Sequence, residues 1–348
     1  MIDMTHKEKI DRFLEEMVRE NQFPGAVYAI VTERETLAEN AIGFSHRVLN
    51  IPMSLNTIFD MASLTKVCVT TPAILLLIQE GKIDIDDPVK RYFSQCLNGE
   101  LTIRHLLTHT SGLMWHMPFY QYGWNKEEIK EYILKSRVHP GIQVEYSDLN
   151  FILLGFLIEQ VTGQTLDEFV RERIFSPLGM RDSGFNPNFE KEKMAPTEYI
   201  QDKKDYQWGT VHDENAAHLG GVSGHAGLFS SLQDMKIYCQ MILRNGRKES
   251  GELFLSEAIL KESRRNYTKA LNLSRGLGWQ LVDDTFSPLG HFLSKQSFGH
   301  TGFTGTSIWM DPERKIAAIL LTNRVYFGRE INSNRFRRVF HNLIAASL

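Results

Sequence analysis

The sequence predicts an α+β fold, an α/β sandwich in which an antiparallel sheet drawn from both ends of the chain is flanked by helices. A mostly helical lobe is inserted between the two sheet-forming parts. Three observations lead there. Short apolar runs of strand character occur near the amino terminus and again near the carboxy terminus. Apolar residues between them recur at helical spacing. No flexible linker, internal repeat or low-complexity segment divides the 348 residues, which read as one unit spanning 1–348. Residues 1–62 and 220–348 are assigned to the sheet part and 63–219 to the helical part.

In chain order, "MIDMTHKEKIDRFLEEMVRE" opens with a helix carrying Ile10, Phe13, Leu14 and Met17 on one face. "GAVYAIVTER" (25–34) and "TLAENAIGF" (36–44) read as strands split by a short polar turn, hence a hairpin. Helical spacing holds over 70–80, 126–135, 149–161 and 166–175, with "PGIQ" and "SPLGM" as turns between them. Beyond 220 glycine-rich turns return, followed by strand-like runs at 276–282, 305–311 and 315–323. An arginine-rich amphipathic helix near 331–346 closes the chain. The stretch 186–206 is the one long polar loop.

Composition narrows the function. Hydrophobic residues make up 42% and charged residues 23%, as in ordinary globular proteins. A net charge of -3 offers no basic surface for nucleic acid and no polybasic membrane anchor. No apolar run approaches the ~18 residues of a membrane span. The charged amino terminus lacks the apolar core of a secretory signal, which predicts a cytoplasmic location. Cys68, Cys96 and Cys239 are odd in number, scattered and set among apolar residues, so they read as reduced core residues. The pair His105 and His109 has helical ligand spacing but no accompanying carboxylate, and no metal or other cofactor is expected.

The stretch "FDMASLTKVCVT" (59–70) sets Ser63 and Lys66 three positions apart where an apolar run begins. On a helix that spacing puts both side chains on one face. The helix start favours developing negative charge near Ser63, and a buried lysine can serve as a neutral amine that accepts the serine proton. The alternative is a capping serine beside a solvated lysine. Roughly one Ser-x-x-Lys is expected by chance in a chain of this length, but this pair precedes the most apolar helix. "VEYSDLNFILLG" (144–155) places Tyr146 and Asp148 before another apolar helix, and a tyrosine beside a lysine suits a general base. "SFGHTGFTGTSIWMDP" (297–312) gives His300-Thr301-Gly302, read as the start of a strand whose small residues let a substrate approach a sheet edge, or as a β-turn in which Gly302 and Gly305 only meet backbone needs.

In this order, Ser-x-x-Lys, Tyr-x-Asp and His-Thr-Gly resemble the motifs of the penicillin-recognising serine hydrolases, in the class C β-lactamase-like branch. That branch holds D,D-peptidases, D-aminopeptidases and serine esterases. The resemblance covers nearly the whole chain, including "LTIRHLLTHTSGL" (101–113), 154–185 and "HLGGVSGHAGLFSSLQDM" (218–235). It implies a β-lactamase/transpeptidase-like fold and an acyl-enzyme on Ser63, with Lys66 and Tyr146 sharing the proton relay. It further implies an oxyanion hole from the backbone N–H groups of Ser63 and Phe303. Asp148, His300, Thr301 and Gly302 would face the substrate.

Two positions depart from the family pattern. His300 stands where a lysine usually anchors a carboxylate, and a histidine near its ordinary pKa of ~6.5 is mostly neutral at pH 7. Asp148 replaces an asparagine and cannot donate its amide hydrogen bond, although it can hold Lys66 as an ammonium and leave Tyr146 as the main base. Both changes favour a small ester or amide without a free carboxylate beside the scissile bond. A muropeptide-like fragment fits as well, because "VHDENAAHLGGVSGHAGLFSS" (211–231) is similar to a subgroup with muropeptide amidases. The rival readings are a β-lactamase or D-Ala-type carboxypeptidase, and a non-catalytic sensor of cell-wall fragments or β-lactams. His212, Asp213, Glu214 and Asn215 read equally as a cleft lining or a self-bonded loop. The aromatic- and Met-rich run 114–120 reads as an apolar wall for an acyl or sugar group, or as core of the helical lobe. Oligomeric state leaves no mark in the sequence.

Overall fold

The computed structural model describes residues 4–283 and 287–348. Its main sheet has seven antiparallel strands. Four come late in the chain and three early, so both ends contribute as the sequence predicts, although only three late and two early runs were expected. The early ones are β1 (Gly25–Thr32), β2 (Thr36–His46) and β3 (Ile51–Pro52). A separate pair, β4 (Ile58–Asp60) and β5 (Phe229–Ser231), links two loops outside that sheet. The late strands are β6 (Gln280–Leu281), β7 (Phe298–Thr301), β8 (Ser307–Asp311) and β9 (Ile316–Thr322). The sheet order is β3-β2-β1-β9-β8-β7-β6. The two ends of the chain therefore join at its centre, where Ala26 to Thr32 pair with Thr322 to Ile316.

Strand β1 is buried on both faces, and its two-residue alternation sorts the core. Ala26, Tyr28 and Ile30 meet the terminal helices α1 (Met4–Arg19) and α5 (Ser333–Ala345) through Ile10, Leu14, Phe336 and Phe340. Helix α1 is the one expected from the opening residues, of which 1–3 lie outside the described set. Val27, Ala29 and Val31 face the other way, toward α2 (Thr71–Gln79), α3 (Asp148–Thr162) and α4 (Leu232–Leu243). The larger apolar cluster runs from this sheet face into the helices without a break. Among the described residues no single helix is long and apolar enough to cross a membrane.

Several expectations need correction. The run 276–282 yields only the two-residue β6, because Gly278 takes a left-handed φ of 77°. His300 and Thr301 end β7 instead of starting a strand, and Gly302 opens the turn to β8. Helix α4 and the shorter Glu257–Ser263 helix lie within 220–348, where strands and turns were expected. Their hydrophobic periodicity was masked by the glycine-rich turns around them.

The segment carrying Ser63 and Lys66 shows why local chemistry matters. Ala62, just before Ser63, adopts a left-handed φ of 46°, which is strained for a residue with a Cβ. Leu64 then begins a helical run that passes through a π-helical turn, Lys66–Thr70, before settling into α2. Pro72 has no N–H to return to Val67 O, and the Tyr238 hydroxyl donates to that carbonyl instead. Thr70 Oγ1 donates to Gly224 O at 2.6 Å and holds the 223–225 loop against the turn.

That loop also presses on α3. A Cβ on Gly224 would lie 2.1 Å from Phe151 O and 3.0 Å from Gly155 N, both backbone atoms. Gly224→Ala should therefore destabilise the protein by about 2 kcal/mol or more, the upper range of overpacking costs. Gly99→Ala, with nothing within 4 Å of its Cβ, should stay within about 0.5 kcal/mol of the parent. Denaturant unfolding of both variants checks the contrast.

Candidate active site

Ser63, Lys66 and Tyr146 meet in space. Lys66 is completely buried, and its Nζ donates to Ser63 Oγ at 3.0 Å and to His225 O at 3.1 Å. The same Nζ lies 2.8 Å from Asp148 Oδ1 and 5.0 Å from the centroid of the Tyr146 ring. Asp148 is the first residue of α3 and Tyr146 stands two positions before it, so the start of one helix delivers both groups to the lysine. Burial works against the ammonium, but Asp148 and then Tyr146 outweigh it, and the Lys66 pKa is raised above the usual lysine value. Lys66 is therefore a proton donor at rest, not the neutral amine that its burial alone suggests.

Two cavities meet at Ser63. The first, of about 510 Å³, is lined by Tyr146, Arg275, His300, Thr301, Gly302 and Phe303, with Arg324, Arg329 and Arg337 on its far side. Every substrate-facing residue expected from the sequence except Asp148 lines this space. His300 is buried, and its Nδ1 lies 2.8 Å from Thr301 O. Burial first, and then the charges of Arg275 and Lys66, push its pKa well below the ordinary histidine value. It is neutral at pH 7, as the sequence suggests for this position.

Arg275 was not foreseen. It lies on "LSRGLGWQ", a glycine-flanked stretch with no motif to mark it, and its side chain reaches under Tyr146 at 5.6 Å from the ring centroid. Its Nε and Nη1 are buried without a hydrogen-bond partner. Burial lowers its pKa from the usual arginine value, opposed by the nearby Tyr146 and Asp283. A lone arginine among glycines in a run of apolar residues was the only available signal.

The second cavity, of about 390 Å³, opens on the other side of Ser63. Asp148, His212, Asp213 and Glu214 line it together with Trp115, His116 and Tyr120. The 212–215 cluster is thus both a lining and a bonded loop. Asp213 caps the short helix Glu214–His218 through Ala216 N and lies 2.8 Å from His225 Nε2. Burial opposes the charge on Asp213, but His225 outweighs it and holds the carboxyl below the usual range. Glu214 pairs with Arg329, and Asn215 bonds Met117 O. The aromatic run is likewise divided: Trp115 and Tyr120 face the cavity, whereas Phe119 is core.

The histidine pair has other work. His105 closes a capping box with Thr102, and His109 accepts from Ser147 N at 3.1 Å beside the Tyr146 ring. Donor atoms of Asp148, Asp213 and His225 lie within 4.8 Å of one another, which a divalent cation can use. The cation bonded to Asp148 is Lys66, and the His225 Nε2 is engaged by Asp213.

The beta-lactamase family profile matches residues 10–341 of this chain. A protein of Escherichia coli O157:H7 named "Putative D-alanyl-D-alanine carboxypeptidase" is 31% identical over 91% of this chain and 82% of its own length. The solved structure described as "EstCE1, a hydrolase with promiscuous acyltransferase activity" superposes with a TM-score of 0.81 at 22% identity, covering 99% of both chains. A penicillin-binding protein homologue from Caulobacter crescentus gives a TM-score of 0.79 at 18% identity, covering 99% of this chain and 98% of its own. At those identities the structural likeness speaks for the fold alone.

Asp148→Asn tests the electrostatics of the site. It removes the largest charge holding the Lys66 proton, so the Lys66 pKa falls and the alkaline limb of the kcat/KM profile moves to lower pH. The rate near neutrality should drop about 10–100-fold, in the range of a misplaced proton-transfer group. A pH profile of ester turnover reads both effects.

Proposed function

The chain belongs to the beta-lactamase family, and we propose that it is a hydrolase that cleaves an ester or amide through an acyl-enzyme on Ser63. The observation that carries this reading is the Lys66 ammonium held between Ser63 Oγ and Asp148. With Lys66 already protonated, the serine proton must go elsewhere, and Tyr146 is the titratable group beside both. Lys66 and Arg275 both lie beside the Tyr146 ring and attract negative charge that develops on its oxygen.

The steps then balance. Ser63 Oγ attacks the carbonyl carbon while its proton passes to the Tyr146 oxygen. The oxyanion lies against the N–H groups of Ser63 and Phe303, each of which contributes ~3–4 kcal/mol of barrier lowering in sites of this kind. Collapse breaks the bond to the leaving group, which takes the proton from Tyr146. Water repeats the sequence in reverse and frees Ser63.

For the substrate, neutral His300 supports a small ester or amide, and a muropeptide-like fragment remains within this class. Arg275 favours a second reading. A buried guanidinium whose Nε and Nη1 lack hydrogen-bond partners, lining the cavity beside Ser63, is a ready anchor for a carboxylate, which suits a D-Ala-type carboxypeptidase substrate. The expectation of a substrate without a carboxylate was built on His300 and Asp148, and Arg275 supplies the charge His300 lacks.

Two measurements separate these possibilities. A fluorophosphonate should label wild-type protein at Ser63, seen by mass spectrometry of that peptide, and Ser63→Ala should not be labelled. A wild-type protein that never takes the label supports the non-catalytic sensor. Arg275→Ala should raise KM for a carboxylate-terminated peptide about 10–100-fold, the worth of one charged hydrogen bond, while KM for p-nitrophenyl esters stays within about threefold. Equal losses on both substrates would count against the anchor. Rapid nitrocefin hydrolysis without ester turnover would favour a β-lactamase.

A further inference from the structure

Asp60 occupies a junction that the chemistry above leaves unexplained. It is the last residue of β4, almost fully buried, and its carboxylate accepts two backbone N–H groups. Oδ1 takes Ala62 N at 2.8 Å, the residue held at φ 46° immediately before Ser63. Oδ2 takes His212 N at 2.6 Å, from the loop that lines the second cavity. Its main-chain oxygen accepts Thr304 Oγ1 at 2.7 Å, from the residue immediately after Phe303. The neighbouring Met61 O accepts Thr306 Oγ1 at 3.1 Å, from the same turn. Phe303 in turn stacks on His212, with ring centroids 5.8 Å apart.

We propose that Asp60 is a positioning residue that sets the spacing between the two oxyanion donors and couples it to the wall of the second cavity. Its side chain fixes the residue preceding one donor, and its carbonyl fixes the residue following the other. A left-handed alanine is costly, so it persists only where its surroundings hold it, and the Asp60–Ala62 bond is a direct restraint of that kind. The close approach of the two turns supports the same conclusion. A Cβ on Gly302 would lie 2.6 Å from Met61 O and 3.4 Å from Ala62 Cβ, so only glycine lets the Phe303 turn sit this near the Ser63 turn. Asp60 touches neither substrate nor reacting atoms and acts through Ala62, Thr304 and His212. The proposal rests on the reading of Ser63 as the nucleophile.

Asp60→Asn keeps the shape and one acceptor oxygen while placing an amide against the second N–H. Asp60→Ala removes both acceptors. Kinetics with p-nitrophenyl acetate should show kcat lowered about 10–100-fold in Asp60→Asn and further in Asp60→Ala, with KM within about threefold, because a misplaced oxyanion donor acts on the transition state. The rate of fluorophosphonate labelling at Ser63 should fall in parallel. Crystal structures of both variants should show Ala62 leaving the left-handed region and the distance between Ser63 N and Phe303 N changed. Wild-type kcat in Asp60→Asn would overturn the proposal, as would an unchanged donor spacing, or a kcat loss no larger than the loss of folded protein seen by circular dichroism. If wild-type protein takes no label at Ser63, the hydrolase reading falls, and the donor spacing in the variants still decides the role of Asp60.

Discussion

The ion pair between Lys66 and Asp148 is the constraint on which the site depends. An ammonium with no solvent exposure costs several kcal/mol to desolvate, and only close partners offset that cost. Here the partners are a carboxylate at 2.8 Å, a backbone carbonyl at 3.1 Å and the serine oxygen at 3.0 Å. Each comes from a different segment: the start of α3, the 223–225 loop and the turn before α2. The charge therefore draws three distant parts of the chain together, and losing Asp148 would leave a buried cation short of its main partner. The same pairing assigns the chemistry, because a lysine that keeps its proton cannot take one from serine.

The scaffold makes that convergence possible by closing the two chain ends onto one another. β1 and β9 are neighbours at the sheet centre, so the turn after β7 with Gly302 and Phe303 lies close to the turn carrying Ser63. The strained Ala62, the π-helical turn at Lys66 and the glycine contact at Gly224 all fall within this small region. Four arginines line the first cavity and Asp148, Asp213 and Glu214 line the second, while Arg329, which pairs with Glu214, lines both.

What could be read in the sequence followed from the range of the interactions. The continuous apolar run "GAVYAIVT" and helical spacing in "DLNFILLGFLIEQVT" are local, and both elements formed as expected. The Ser63, Lys66 and Tyr146 triad was legible because its motifs are short and ordered along the chain. The lysine's protonation state was left open between a neutral amine and an ammonium held by Asp148. Choosing between them needs a distance across 82 residues. Arg275 and Asp60 were invisible for the same reason. A buried guanidinium and a carboxylate bonded to His212 N gain meaning only from partners far away in sequence. His300 was read at the wrong end of a strand because the turn 302–306 is rich in the same small residues as the strand.

The central claim is that Lys66 stays protonated at neutral pH although it is sealed from water. Nitrogen-15 NMR of the protein labelled at lysine Nζ, with Lys66 assigned by comparison with Lys66→Arg, reads that state directly. Lys66 should give an ammonium signal that persists from pH 6 to beyond pH 9. A neutral amine at pH 7 would contradict it and return the role of base to the lysine.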